Sequence, residues 1–350
     1  MVRGFSYVLQ SGRIYFRRLM ELEIGKVPNE LLEKLVFSNI TYKRDEVLAR
    51  PGIGEDTGVM DLGGELCVVS TDPITGATKG LGALAIHVSC NDAATRGAEP
   101  VGILLTILCP PGTTEEELEL IMKDAGRAAG EARVEIIGGH TEVTDAVTRI
   151  VLSSTVIARM KREHFKGYQG ISSGDKVVLT KWIGLEGTHI LASELGVRLK
   201  EHLTQEELNE AKELSQHLSV VKEGLLGRNH GVLYMHDVTE GGIYGAIWET
   251  GEATGKGVTL YEEKLPIKDV TKKICHILDI DPRKLISSGS MIMVVPERNA
   301  DALLRDLDNN GVKATIVGEI THRGIESVTG DRKVPIPPPG SDELYRALQL

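Results

Sequence analysis

Apolar runs of strand length alternate with helix-spaced apolar patterns along most of the chain, and one polar, turn-rich segment from Arg159 to Ser173 interrupts them. Strands repeat every two residues and helices every three to four, so each change of period marks an element. Before the break, the pattern predicts a helix over Asn29–Phe37, a strand over Glu65–Ser70 and a helix over Gly80–Gly97. A strand over Val101–Cys109 is closed by Pro110-Pro111-Gly112. Thr114 stands three residues before Glu117, a capping box that satisfies the first N–H groups of a helix running through Leu118, Ile121, Met122, Ala125 and Ala129. Strands over Val134–Ile137 and Val147–Ala158 follow, the first running into a Gly138-Gly139 turn.

Beyond the break, strands are expected at Lys176–Thr180, Val232–Met235, Met291–Val295 and Ala314–Val317. Helices are expected at Leu185–Leu195, Gln205–Leu226, Gly241–Thr250, Val270–Leu278 and Ala300–Asn309. Alternation in both halves argues for two domains of α/β or α+β class, and 350 residues suit two domains of about 150 each. The expected divisions are an N-terminal extension (1–19), a first domain (20–158), a second domain (171–330) and a proline-rich tail (331–350) in which a short helix starts at Asp342. Residues 1–19 carry arginines and no acid, lack the apolar core of a secretory signal, and are expected to add little to the fold.

Composition narrows the function. A net charge of −10 argues against sequence-independent binding to nucleic acid, which needs a basic face. No apolar run reaches the roughly 18–20 residues that cross a bilayer. Cys67, Cys90, Cys109 and Cys275 show no C-x-x-C spacing and read as reduced thiols of a cytoplasmic protein. Glycine is abundant, 39 of 350, without a collagen period, which places it in turns or close approaches.

Acidic and amide side chains recur at glycine turns and element ends: Gly52-Ile53-Gly54-Glu55-Asp56, Thr71-Asp72, Asn91-Asp92 and Gly138-Gly139-His140-Thr141-Glu142. Clustered carboxylates repel unless a cation compensates them, and Mg²⁺ binds through a few carboxylates plus phosphate oxygens. Glycines let backbone N–H groups face phosphate. A Mg²⁺–nucleotide site follows. There is no P-loop signature, and no dinucleotide fingerprint. Taken singly, Asp56 and Asp72 could be turn formers, His140 a local hydrogen-bonding residue and Glu142 part of a solvated edge. Asn91-Asp92 inside an apolar helix is harder to explain that way, because a buried carboxylate is costly unless paired.

In this order the motifs resemble the PurM-like superfamily of aminoimidazole ribonucleotide (AIR) synthetase, which includes thiamine-monophosphate kinase, selenophosphate synthetase and the hydrogenase maturation protein HypE. The family pattern is a G-D-D turn, a T-D strand end, N-D-x-x-x-x-G-x-x-P and G-G-[DE]-T. Here it reads Gly54-Glu55-Asp56, Thr71-Asp72, Asn91-Asp92 through Gly97 to Pro100, and Gly138-Gly139-His140-Thr141. Ser173-Gly174-Asp175 and His236-Asp237-Val238-Thr239-Glu240-Gly241-Gly242 resemble its second-domain motifs, and Ile280-Asp281-Pro282 to Gly289 resembles a late HypE segment.

The resemblance covers about residues 25–330 and implies an α+β two-domain fold. An N-terminal α/β domain would pair with its twin through a β-barrel in a homodimer, beside a C-terminal α+β domain. It implies ATP and Mg²⁺ as cofactors, with Glu55, Asp56, Asp72, Asp92 and Glu142 on the metal. Gly54, Asn91, Gly138, Gly139 and Thr141 would line the nucleotide. Lys26 either reaches a phosphate or is a solvated surface lysine. Asp237 and Glu240 would act on the second-substrate side. The implied function is ATP-dependent activation of a substrate oxygen, closest to a hydrogenase maturation factor, with a maturation-protein partner. A small-molecule kinase or cyclo-ligase of the same superfamily, and a non-catalytic nucleotide-binding accessory protein, are the alternatives. His140 stands where the family often places an acid, with Glu142 as a possible substitute. HypE ends in a cysteine that carries the carbamoyl group, whereas here the last thiol is Cys275 and the final residues are Ala347-Leu348-Gln349-Leu350.

Overall fold

The computed structural model describes residues 5–10, 13–18, 27–74, 80–165, 167–168 and 170–349. Strands β1 (Phe5–Gln10) and β2 (Arg13–Arg18) pair only with each other and join neither of two larger sheets.

The first half contains α1 (Asn29–Leu35), β3 (Val47–Ala49), β4 (Gly58–Asp61), β5 (Leu66–Ile74), α2 (Leu81–Thr95), β6 (Glu99–Cys109), α3 (Glu115–Ala132), β7 (Glu135–Val143) and β8 (Val151–Met160). Its sheet has six strands in the order β3-β4-β5-β8-β6-β7. Only β6 and β7 are parallel, joined by α3 as the crossover that a parallel pair requires. Strand β8 then inserts antiparallel between β5 and β6. The expected α/β class of this half is therefore corrected to α+β, and its sheet is open within the chain.

Along β8 buried and less buried residues alternate, the mark of a sheet covered on one face. Helices α2 and α3 supply the cover. Helix α3 is amphipathic and starts at the expected capping box: Glu117 N–H donates to Thr114 Oγ1 at 3.2 Å, and Thr114 N–H donates to Glu117 Oε2 at 2.8 Å. Helix α2 has no polar face. It is buried from Leu81 to Thr95 except at Ala83 and Val88 because the sheet, α3 and a helix of the second half surround it.

The expected Gly138-Gly139 turn is also corrected: β7 continues through both glycines, with a register shift against β6 at Ile137 just before them. Gly139 has φ +148°, and a Cβ there would lie 1.8 Å from the carbonyl oxygen of Leu105. The glycine permits close contact between β6 and β7.

The second half contains β9 (Lys176–Thr180), α4 (Leu185–Glu194), α5 (Gly196–Leu199), α6 (Gln205–Glu213), α7 (Val221–Asn229), β10 (Tyr234–Asp237), α8 (Gly242–Thr254), β11 (Gly257–Tyr261), α9 (Asp269–Ile277), β12 (Met291–Val295), α10 (Glu297–Asn309), β13 (Ala314–Thr321), β14 (Ile325–Thr329), β15 (Arg332–Pro335) and α11 (Glu343–Leu348). The sheet has seven strands in the order β10-β12-β9-β13-β11-β14-β15, with β11 and β14 parallel. Both faces are covered. Ile243 and Ile247 of α8 pack with Val177 and Leu179, while Leu303 and Leu307 of α10 pack with Val178 and Met293. Every residue of β12 is consequently buried.

Two expectations change here. The single helix over Gln205–Leu226 is broken between α6 and α7, where residues 218–220 face α2. The tail is part of the domain: β15 pairs with β14, Ile336 is buried, and Asp342 caps α11.

Candidate active site

A cleft of about 680 Å³ lies between the halves, within the usual range of about 300–1,000 Å³ for small-molecule sites. Four carboxylates from four elements meet in it. Asp56 comes from the turn before β4, Asp92 from α2 and Asp237 from the end of β10. Asp72 lies inside β5 rather than at a strand end, because the strand continues to Ile74. Strand periodicity puts Ser70 on the same face as Asp72, and the Ser70 hydroxyl donates a short hydrogen bond to Asp92 Oδ2.

The cluster is charge-frustrated. Burial, then the charges of Asp72, Asp237 and Asp56, push the Asp92 carboxyl well above its ordinary value. Burial and Asp56 push Asp237 up to about 8, against the pull of His236. Asp237 Oδ2 is buried without a hydrogen-bond partner. Buried polar atoms are rarely left unpaired, so this oxygen fits a cation. The donor set is all oxygen, which suits Mg²⁺.

His236 supplies partial compensation. Its Nδ1 meets Asp56 Oδ2 at 2.8 Å and its Nε2 meets Glu249 Oε2 at 2.9 Å. Burial alone would lower its pKa, but the two carboxylates outweigh burial and hold the imidazole well above its usual value. Asp56, His236 and Asp237 each present a ligand-type atom within 4.8 Å of one another. With both ring nitrogens occupied, His236 serves the cluster as a cation that orients Asp56.

The other sequence-selected residues divide clearly. Gly54 lines the cleft with φ +70°, and its carbonyl accepts from the Tyr234 hydroxyl at 3.2 Å. Glu55 also lines it, but its carboxylate pairs with Arg96, which further donates to Thr57 Oγ1 at 3.1 Å. Asn91 faces away from the cleft. Its side-chain amide donates to Leu218 O at 2.8 Å and its carbonyl accepts from Val220 N–H at 2.8 Å, so both polar groups join the two halves. Gly138, Gly139, Thr141 and Glu142 lie on β7, outside this cleft, where His140 Nε2 meets Glu142 Oε2 at 3.2 Å on an exposed edge. Asp237 belongs to the acidic cluster itself. Glu240 lies farther along the cleft and accepts from Tyr345 Oη at 2.6 Å. Lys26 lies outside the described residues.

The sequence patterns do not reveal the roles of Ser70, Arg96, His236, Glu249 and Tyr345. Ser70 is adjacent to the Thr71-Asp72 motif and His236 stands inside the His236–Gly242 motif; Glu249 and Tyr345 carry no local signal. None of the four thiols lines the cleft, and burial raises Cys90 and Cys275 to about 12. No helix among the described residues is long and apolar enough to cross a membrane.

Comparison with known proteins agrees with this architecture. The N-terminal domain model of AIR synthase related proteins matches residues 54–160, and the C-terminal domain model matches residues 172–331. A hydrogenase expression/formation protein of Methanocaldococcus jannaschii is 30% identical over 328 residues, covering 89% of this chain and 94% of the relative. The carbamoyl dehydratase HypE of Escherichia coli is 25% identical over 294 residues, covering 79% and 85%. In structure, E. coli HypE superposes with a TM-score of 0.71 at 22% identity, covering 91% of this chain and 99% of that one. A HypE in complex with ATP superposes at 0.66 and 19% identity, covering 92% and 98%. A HypE has also been crystallised with HypF. With the matched segments spanning most of its length in both halves, the chain belongs to the AIR synthase related, PurM-like family, among relatives of HypE type.

Proposed function

We propose that this chain is an ATP- and Mg²⁺-dependent enzyme that activates an oxygen of a small substrate by phosphoryl transfer, in the manner of a HypE-like maturation factor. The observation that carries the reading is the unpaired Asp237 Oδ2, buried beside Asp56, Asp72 and Asp92 at the wall of the cleft. These four carboxylates would hold the metal. When bound, Mg²⁺ neutralises charge on the phosphate oxygens. The chain's own contribution is positioning: His236 fixes Asp56, Ser70 fixes Asp92, and the cleft limits water around the transferred group. The thiols outside the cleft favour an acceptor on a separate small molecule.

The reading includes a homodimer. Val101 and Leu104 of β6 and Ile137 and Val143 of the edge strand β7 are exposed apolar residues of the first sheet. A second copy closing this sheet into a barrel would cover them and would bring the Gly138–Glu142 strand into an interface. A maturation-protein partner is part of the same reading, carried by the HypE–HypF complex.

Calorimetry of ATP binding with and without Mg²⁺, together with ADP release, tests the proposal on the wild type, Asp92→Ala and Asp237→Asn. Magnesium-dependent binding is expected in the wild type. Each variant should lose at least the about 10–100-fold that even outer-sphere partners of a metal contribute. Absence of binding at millimolar ATP would sink the enzyme and accessory readings together. Binding without ADP release across a substrate screen would favour the accessory protein.

A further inference from the structure

The end of the cleft away from the aspartate cluster has a different chemistry. It is lined by Glu186, Glu240, Ser288, Leu344 and Tyr345. Gly241, the N-cap of α8, would ordinarily offer its end of the helix to an anion. Here Asp342 occupies that position: its Oδ2 accepts from Gly241 N–H at 2.7 Å, and its Oδ1 accepts from Leu344 N–H at 2.8 Å and Ile286 N–H at 3.2 Å. The Glu240 carboxylate accepts from Tyr345 at the same end. A phosphate or carboxylate entering here would meet Glu186 and Glu240 and a helix terminus that Asp342 already caps.

Glu186 is the group with unused capacity. It is 4% exposed, lies in the first turn of α4, and its Oε2 is buried with no hydrogen-bond partner. Its carboxyl is bonded at Ser288, and burial with the nearby Asp342 and Glu240 raises it to about 7. Among the described residues, the basic ones lining the cleft are His236, committed to Asp56 and Glu249, and Arg149, which precedes β8 in the first half. Among the described residues, Glu186 Oε2 has no partner, and a positively charged donor would complement it.

We propose that Glu186 determines specificity for the second substrate, by receiving a cationic amine group of a small molecule at its unpaired oxygen and by excluding anions from that end of the cleft. This rests on the reading of the aspartate end as the Mg²⁺–nucleotide site. The two ends would then sort the two reactants by charge, with phosphates at the cation and the amine-bearing substrate at Glu186. A charge-assisted hydrogen bond of this kind discriminates strongly once it is desolvated.

The test is calorimetric titration of the full chain loaded with Mg²⁺ and ADP, using ethylammonium and its anionic counterpart propionate as probes at pH 7. Ethylammonium is expected to bind at one site and propionate not to bind. Glu186→Gln, of the same shape, should weaken ethylammonium by about tenfold or more, as loss of a bond to a charged group does, and leave ADP affinity unchanged. If Glu186→Gln does not fold, Glu186→Asp makes the same comparison, since its shorter side chain retracts the oxygen. Propionate binding as well as ethylammonium, no ethylammonium binding by the wild type, or undiminished binding by the variant would overturn the proposal. Failure of ADP to load in the wild type would instead strike the nucleotide reading on which it rests, and would be seen before either probe is added.

Discussion

The Gly54-Glu55-Asp56 turn and the Gly138–Glu142 stretch look alike in sequence, each with glycine beside acid, yet they occupy opposite environments. The first is wedged against the second half of the molecule. A Cβ on Gly54 would lie 2.8 Å from Ala253 Cβ, and the next two residues are held by Arg96 and His236. The second lies in an outer strand with its polar side chains exposed. Their difference teaches that the glycine-acid pattern reports only backbone approach. Which group approaches is decided by topology: a carbonyl of β6 at Gly139, and a helix of the other half at Gly54.

The largest expected effect is at the ion network that secures the inner turn. His236→Gln would leave Asp56 and Glu249 without the cation between them. Removing one partner of such a buried set costs about 3–5 kcal/mol, measured by chemical denaturation. The pH dependence has a definite sign. The folded pKa is raised, so the stability due to His236 is fully present below its unfolded value near 6.5 and is lost as pH rises through the higher folded value. Melting temperature should therefore fall on the alkaline side in the wild type, and this part of the slope should vanish in His236→Gln.

Next come the glycines themselves. Gly54→Ala and Gly139→Ala each force an overpacked contact, of about 1–3 kcal/mol or more. They should separate in a second readout. Gly54→Ala should also weaken Mg²⁺-dependent ATP binding, because Asp56 moves with the turn. Gly139→Ala, measured as free chain, should lower the melting temperature with nucleotide affinity retained; equal loss of affinity in both would break the contrast, since it would put the outer strand at the nucleotide. The smallest effect is expected from His140→Ala and Glu142→Gln, an exposed pair whose loss should shift stability by no more than about 0.5 kcal/mol.

Elements with a clear period or an unbroken apolar run were legible from sequence. The capping box at Thr114 and Glu117 set the start of α3, and the run Met291–Val295 is the observed β12. Strands β11, β14 and β15 were missed because they are short and polar or flanked by glycine, and gain their place only by pairing across the sheet. Strand and helix succession leaves α/β and α+β both open for the N-terminal half, because it does not show that β8 inserts between β5 and β6. At the site, Asp56 and Asp72 stood out by their place at a glycine turn and an expected strand end, and Asp92 as an acid inside an apolar helix. Their neutralising and orienting groups were hidden by distance along the chain: His236 meets Asp56 from 180 residues away. Asn91 illustrates the converse: the resemblance places it at the nucleotide, whereas its two polar groups bond Leu218 and Val220 of the second half, a pairing that no local signal shows.

That residue gears the molecule. Asn91 and Asp92 are consecutive on α2, a helix buried except at Ala83 and Val88, and successive helical positions point about 100° apart. One grips the backbone of the second half at Leu218 and Val220, and the other carries a carboxylate of the cluster. Any hinge motion that widened the cleft would have to unlatch Asn91 or drag Asp92 with it. The aperture of the cleft and the alignment of its acids are thus set by one short stretch of helix, so the molecule cannot change one without registering it at the other.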